Sequence, residues 1–317
     1  MSCDRDRYAR LIDPGLWAFM DRVDELFPPS IGSLPIEKQR VFYDAMCREF
    51  HAGRPEGISV RGEAIGLPDR DIPLRRYLPA DGQPEALVIY CHGGGYVLGG
   101  LDSHDDICAE LAAATGFTVF SVDYRLAPEH LHPAAFDDAL AAFRHVAENT
   151  GLPVILCGES AGGNLAAAVA HATRGDRRRP AGQVLIYPAL SGDTAKPSAI
   201  MHADAPLLSV ADVETYDRLR SGGRRPAGDA TFAPLEDSDF SGVPPTVVFT
   251  AECDPLSSDG EAYCDAIRAA GGRAHWLEEP RLIHGYLRAR ALVPAAREAF
   301  GRIAHAVSKL GRGAWPY

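Results

Sequence analysis

The sequence predicts an α/β fold, a mainly parallel sheet with helices on both faces and a helical cap. Two observations carry that prediction. Short continuous apolar runs such as Ala86–Cys91, Phe117–Val122, Pro153–Cys157 and Thr246–Ala251 recur along the chain. They read as strands buried on both faces. Between them lie longer stretches with helical apolar spacing, for example Phe136, Ala139, Leu140, Phe143 and Val146. Strand and helix in alternation make a parallel sheet with crossover helices.

In order, the first 55 residues read as a separate helical cap segment. Leu16, Trp17, Phe19, Met20, Val23, Leu26 and Phe27 recur near helical spacing until Pro28-Pro29 stop them. A second helix is expected from Pro35 to Phe50, with Val41, Phe42, Ala45 and Met46 on one apolar face. Residues 56–317 form the main domain. Ile58–Leu78 reads as a hairpin-like entry around Gly66-Leu67-Pro68-Asp69. Helices are expected over Ser103–Ala114, Pro133–Glu148 and Ala161–Thr173, with a strand at Gln183–Tyr187. Residues 191–234 break the rhythm; they read as an irregular insertion contributing to the cap. Strand Thr246–Ala251, helix Ser257–Ala270, strand Arg273–Glu278 and a helix from Ala289 to Lys309 complete the chain.

Thirty-two basic and 43 acidic side chains give 317 residues a formal charge of −11, which argues against nucleic acid as the main partner. The basic run Arg174–Arg179 reads as a solvated loop. Seven cysteines (Cys3, Cys47, Cys91, Cys108, Cys157, Cys253 and Cys264) are scattered without C-x-x-C spacing, so neither a disulfide framework nor a zinc site is indicated. Cys91, Cys157 and Cys253 end apolar runs and read as small buried hydrophobes. The start, MSCDRDRYARLIDP, lacks an apolar leader and no run is long enough to span a membrane. The expected location is the cytoplasm.

The chemistry centres on Gly158-Glu159-Ser160-Ala161-Gly162. An apolar strand precedes it and a helix-forming run follows, the setting of a nucleophile elbow. Such a turn lifts the Ser160 hydroxyl clear of the sheet and places a helix N-terminus where an oxyanion would form. A serine nucleophile needs a base, an orienting acid and oxyanion donors. Asp254, in the loop after strand Thr246–Ala251 and followed by Pro255, is the candidate acid. A helix N-cap is the competing reading of Asp254, and Glu252 and Asp259 are weaker alternatives. Of the histidines that follow, His275 falls in a strand and His305 in an amphipathic helix. His284 falls between strand and helix before Gly285 and is the candidate base. The backbone N–H groups of Gly93, Gly94 and Ala161 are the candidate oxyanion hole. His92–Gly95 has neither G-x-G-x-x-G spacing nor a Walker lysine, which argues against a phosphate loop.

Four motifs together resemble the hormone-sensitive lipase family, and within it the bacterial family IV esterases. They are His92-Gly93-Gly94-Gly95, Val122–Glu129 (VDYRLAPE), Gly158–Leu165 (GESAGGNL), and the stations Asp254-Pro255-Leu256 and His284-Gly285-Tyr286. The resemblance covers about residues 75–310. It implies an α/β-hydrolase fold, hydrolysis of short- to medium-chain carboxylic esters, and no metal or cofactor. It also implies a structural role for Glu129 and homodimer pairing near Arg273–Glu278. One departure stands out: Glu159 occupies the place where the branch usually has Asp, one methylene shorter. Arylformamidase-like amide hydrolases resemble the family too, but many carry a bulkier residue where this chain has Gly95. Plant gibberellin receptors, ligand-binding proteins on the same scaffold, lack the catalytic histidine that this chain retains at position 284.

Overall fold

The computed structural model describes residues 5–80 and 83–317. Cys3 lies outside the described residues. Three helices come first: α1 (Arg5–Tyr8), α2 (Leu16–Leu26) and α3 (Ile36–Glu49). The hairpin β1 (Ile58–Gly66) and β2 (Asp71–Pro79) opens the sheet, with Ile65 opposite Ile72. The alternating part follows as β3 (Leu87–Cys91), α4 (Asp105–Thr115), β4 (Thr118–Val122), α5 (Ala134–Glu148), β5 (Val154–Glu159), α6 (Ala161–Thr173) and β6 (Gly182–Ile186). After α7 (Pro197–Met201) and α8 (Val210–Ser221) come β7 (Thr246–Cys253), α9 (Ser257–Ala269), β8 (Ala274–Ile283) and α10 (Pro294–Gly311).

Among the described residues eight strands form one sheet in the order β1-β2-β4-β3-β5-β6-β7-β8. Only the β1–β2 and β2–β4 pairs are antiparallel, so the sheet is mainly parallel, as expected. Its continuous apolar strands still have two faces. Val88 and Tyr90 of β3, Ile155 and Cys157 of β5, and Val247 and Phe249 of β7 point into one core with α4 and α10. Ile89, Leu156 and Val248 point into the other with α5, α6 and α9. This period-2 split across two apolar layers is what a doubly covered sheet requires.

Four sequence expectations need correction. Residues 191–234 are not wholly irregular, because α7 and α8 lie there. Helix α8 is polar, which hid it from apolar periodicity, but its ends are well specified. Ser209 and Asp212 form a reciprocal capping box, and Gly222 closes the helix in the left-handed conformation. The last strand runs through Ile283 rather than ending at Glu278. Pro280 does not end the strand, because β8 is the sheet's outer strand, where a missing N–H is tolerated. The final helix begins at Pro294, after a separate 3-10 turn at Tyr286–Ala289. In α3, Met46 is buried but Val41 and Phe42 are exposed, so the expected apolar face is only partly covered.

The N-terminal segment and the insertion meet over one loop. Val97, Leu98 and Ala127 form a small cluster with Phe27, Ile36 and Tyr43 from the former and Tyr216 and Leu219 from the latter. Arg40 of α3 donates to Val97 O (2.8 Å) and Ala127 O (3.0 Å), and pairs with Glu129 at 2.7 Å. Arg220 of α8 is buried, stacks on Tyr96 at 3.8 Å and donates to Asn164 Oδ1 at 3.2 Å. Asp259 holds the start of the insertion to α9. It accepts from Leu190 N (2.9 Å), Ser191 N (2.7 Å), Ser191 Oγ (2.7 Å) and Lys196 Nζ (2.5 Å). Replacing it strands several buried donors, so Asp259→Ala is expected to cost about 2–4 kcal/mol in urea denaturation. The exposed neighbour change Glu261→Ala is expected to stay within about 0.5 kcal/mol in the same measurement.

Candidate active site

The strand-to-helix junction at residue 160 is sharp. Ser160 adopts φ 54° and ψ −119°, a conformation that a residue with a side chain holds only under constraint from its surroundings. Those surroundings are visible: Ser160 N–H donates to Ile186 O at 2.9 Å, and its carbonyl accepts from Asn164 N at 3.1 Å. A Cβ on Gly162 would lie 2.0 Å from Cys91 O, so only glycine lets α6 approach β3 this closely.

Three candidate side chains from three strand ends come together. His284 Nε2 lies 2.9 Å from Ser160 Oγ, and His284 Nδ1 donates to Asp254 Oδ2 at 2.7 Å. A carboxylate only accepts, so its contact fixes the tautomer and leaves Nε2 free to take the serine proton. Asp254 is fully buried and His284 is 8% exposed. Asp254 is not the N-cap of α9, whose flanking residue is Leu256. Its second oxygen instead accepts from Leu256 N at 2.9 Å, which locks the carboxylate plane.

The alternatives lie elsewhere. Glu252 Oε2 accepts from Arg281 N at 2.7 Å, and Asp259 serves the insertion. His275 stacks on Tyr317 at 3.9 Å, and His305 is exposed on α10.

The glycine loop after β3 lies beside this turn: a Cβ on Gly93 would sit 3.3 Å from Glu159 O. Gly94 has φ +120°, and a Cβ there would sit 2.2 Å from Leu98 O, so the turn is closed to other residues. Its carbonyl accepts from Val97 N (3.1 Å) and Leu98 N (2.8 Å). Among the described residues the N–H groups of Gly93 and Gly94 have no backbone acceptor. His92 anchors the loop from below: Nδ1 donates to Gly93 O at 2.8 Å, and the Tyr124 ring stacks on it at 4.2 Å. Burial, helped by nearby His104, pushes His92 down to about 3, so it is a neutral structural ring.

Sequence reasoning missed the polar layer beneath the site. Glu159 is buried and accepts from Tyr90 Oη (2.9 Å), Tyr187 Oη (2.6 Å) and His104 Nε2 (2.9 Å). Burial raises its pKa, but the His104 charge and hydrogen bond, joined by the Tyr187 hydrogen bond, outweigh it and hold the carboxyl well below its ordinary range. Tyr187 and His104 carry no motif of their own; only the unusual Glu159 signalled that its surroundings differ. Tyr216 of α8 was missed with its helix, and its ring lies against Gly95. Among the described residues no group of three His, Cys, Asp or Glu side chains is arranged to hold a metal ion. No helix among them is long and apolar enough to cross a membrane.

Comparison with known proteins gives the family. Residues 88–288 match a family described as alpha/beta hydrolase fold. The carboxylesterase NlhH of Mycobacterium tuberculosis is 41% identical over 246 residues, covering 73% of this chain and 76% of that protein. An ethyl acetate hydrolase of Pseudomonas putida is 34% identical over 259 residues, covering 77% and 81%. Among solved structures, an ester hydrolase from the metagenome of Lake Arreo superposes with a TM-score of 0.87 at 33% identity, covering 95% and 99%. Its structure was determined with a bipyridine phosphonate derivative.

The Gly94 backbone offers a direct test. Gly94→Ala is expected to lower the rate on an activated ester at least about a hundredfold, because displacing the loop by an ångström removes aligned donors. Initial rates on p-nitrophenyl acetate, measured beside a thermal melt, check it. With the matching family, the relatives' coverage and the joined strand ends taken together, the chain belongs to the hormone-sensitive lipase-like branch of the α/β-hydrolase fold, a family of carboxylic ester hydrolases.

Proposed function

We propose that this carboxylic ester hydrolase acts on short- to medium-chain esters through an acyl-enzyme on Ser160. One observation carries the reading: the continuous path Ser160 Oγ, His284 Nε2, His284 Nδ1, Asp254 Oδ2, with links of 2.9 and 2.7 Å. Ser160 attacks the ester carbonyl while His284 takes its proton. The oxyanion is held by the N–H groups of Gly93, Gly94 and Ala161. As the carbonyl–alkoxy bond breaks, His284 returns the proton to the leaving alcohol. Water, deprotonated by the same nitrogen, then releases the carboxylic acid and regenerates Ser160. Asp254 keeps the imidazole in the right tautomer and stabilises its charged form. The short-chain preference is supported by the relative named ethyl acetate hydrolase.

Residues 1–55 and 191–234 form the cap in this proposal, supported by their joint cluster over Val97 and Leu98. Two further parts complete it. The free outer edge of β8 supports homodimer pairing through that strand, to be checked by mass in solution. A cytoplasmic location is supported by Cys47, Cys91, Cys108, Cys157, Cys253 and Cys264, all buried and unpaired.

Ser160→Ala is expected to lower kcat on p-nitrophenyl butyrate by about 10⁴-fold or more with the melting temperature nearly unchanged. Rates across p-nitrophenyl esters of increasing acyl length are expected to peak at short chains. Turnover of a formyl anilide with none of any ester would overturn the assignment in favour of an amide hydrolase.

A further inference from the structure

Glu159 precedes the nucleophile and lies off the proton path, yet it touches the supports of all three functional groups, one through its backbone and two through its side chain. It is joined through the backbone to Ser160. Its Cγ lies 3.1 Å and its Cδ 3.5 Å from where a Cβ on Gly93 would be, so it runs directly beneath the first oxyanion glycine. Its Oε2 accepts from Tyr187 Oη at 2.6 Å, and the Tyr187 ring packs on the His284 ring at 4.7 Å. Its Oε1 accepts from Tyr90 of β3, the strand that leads into the glycine loop, at 2.9 Å.

Tyr187 has little freedom of its own. Its backbone holds φ +34°, its N–H donates to Phe249 O at 2.6 Å, and Tyr286 meets its ring edge-on at 5.0 Å. The hydroxyl bond to Glu159 fixes the remaining end of the ring. A carboxylate buried this deeply is retained only with several donors around it; here Tyr90 leads into the glycine loop, Tyr187 packs on His284, and His104 stacks on His92 at the base of that loop.

We propose that Glu159 is a positioning residue, one carboxylate that sets the oxyanion glycine from below and the catalytic histidine through Tyr187. Its extra methylene, relative to Asp, fills the space under Gly93 while both tyrosine hydroxyls are reached. The proposal rests on Ser160 being the nucleophile. A residue holding only the fold would change the amount of folded enzyme and leave kcat per folded molecule alone. One that sets the reacting geometry lowers kcat with little effect on KM.

Glu159→Gln, Tyr187→Phe and the double variant separate these roles. Kinetics on p-nitrophenyl butyrate would be read beside thermal melts. Each single change is expected to lower kcat about tenfold with KM within about twofold, since a small misplacement of aligned groups has effects of this order. The double variant is expected to be no more than about threefold slower than Glu159→Gln, because one route is removed twice. Single variants with kcat within about twofold of the parent would overturn the proposal. A multiplicative, roughly hundredfold loss in the double variant would overturn the route through Tyr187. Tyr187→Phe removes one hydroxyl and keeps the ring, so it decides the question even where Glu159→Gln does not fold. Ser160→Ala run in parallel keeps the two claims apart: turnover surviving there removes the premise, whereas turnover lost there beside unchanged kcat in the Glu159 and Tyr187 variants counts against Glu159 itself.

Discussion

A single backbone turn at Ser160 sets the terms for the rest of the molecule. Its positive φ can persist only where neighbouring elements hold it, and the neighbours are specific. The Ile186 carbonyl takes the Ser160 N–H, and α6 rests on the Cys91 carbonyl through a residue with no side chain. The small residues of GESAGG follow from that close approach. So does the burial of α6, whose Ala166, Ala167 and Ala168 are all inaccessible. Helix α6, whose N-terminus would face the oxyanion in the proposed reaction, is also packed in the centre of one core layer, which gives the strained serine a rigid base.

Around that turn the fold carries more buried charge than its two apolar layers alone would need. Glu159, Asp254, Asp259 and Arg220 are all nearly inaccessible. Each sits where two chain segments that are distant in sequence must be held in register. Asp254 joins β7 to the loop after β8, and Asp259 joins α9 to the start of the insertion. Arg220 joins α8 to α6 and to Phe232 O at 3.0 Å. Buried ionic groups add little net stability over apolar packing, but an unpaired one is costly, so such contacts specify one arrangement of segments. Two of them, Glu159 and Asp254, lie next to Ser160 and His284, so there the same device fixes geometry where small errors would cost rate.

Much of the fold was legible because its parallel strands announce themselves as short apolar runs and its helices by periodicity. The α6 boundaries were read directly, since Ser160 and the alanine-rich run leave no ambiguity. Two kinds of element escaped. Helix α8 is polar and stabilised by its caps, so its signal lies in Ser209, Asp212 and Gly222 rather than in an apolar stripe. Strand β8 continues past Pro280 because its place at the sheet edge, a tertiary fact, removes the penalty. In the site, chain order and strand ends sufficed to select Ser160, Asp254 and His284, which the fold brings within hydrogen-bond reach. The supporting layer of Tyr90, His104 and Tyr187 was not legible, because those contacts join β3, the loop before α4 and the end of β6.

In the proposed reaction Ser160 alone carries the acyl group, activated by His284. Peptide mass spectrometry after treatment with diethyl p-nitrophenyl phosphate tests it most directly, because the reagent phosphorylates an activated serine and leaves the adduct in place. One diethylphosphoryl group per chain is expected, on the peptide containing Ser160, and none in His284→Ala over the same time. An adduct on any other residue, or an unmodified Ser160 in active enzyme that the reagent has inhibited, would contradict it.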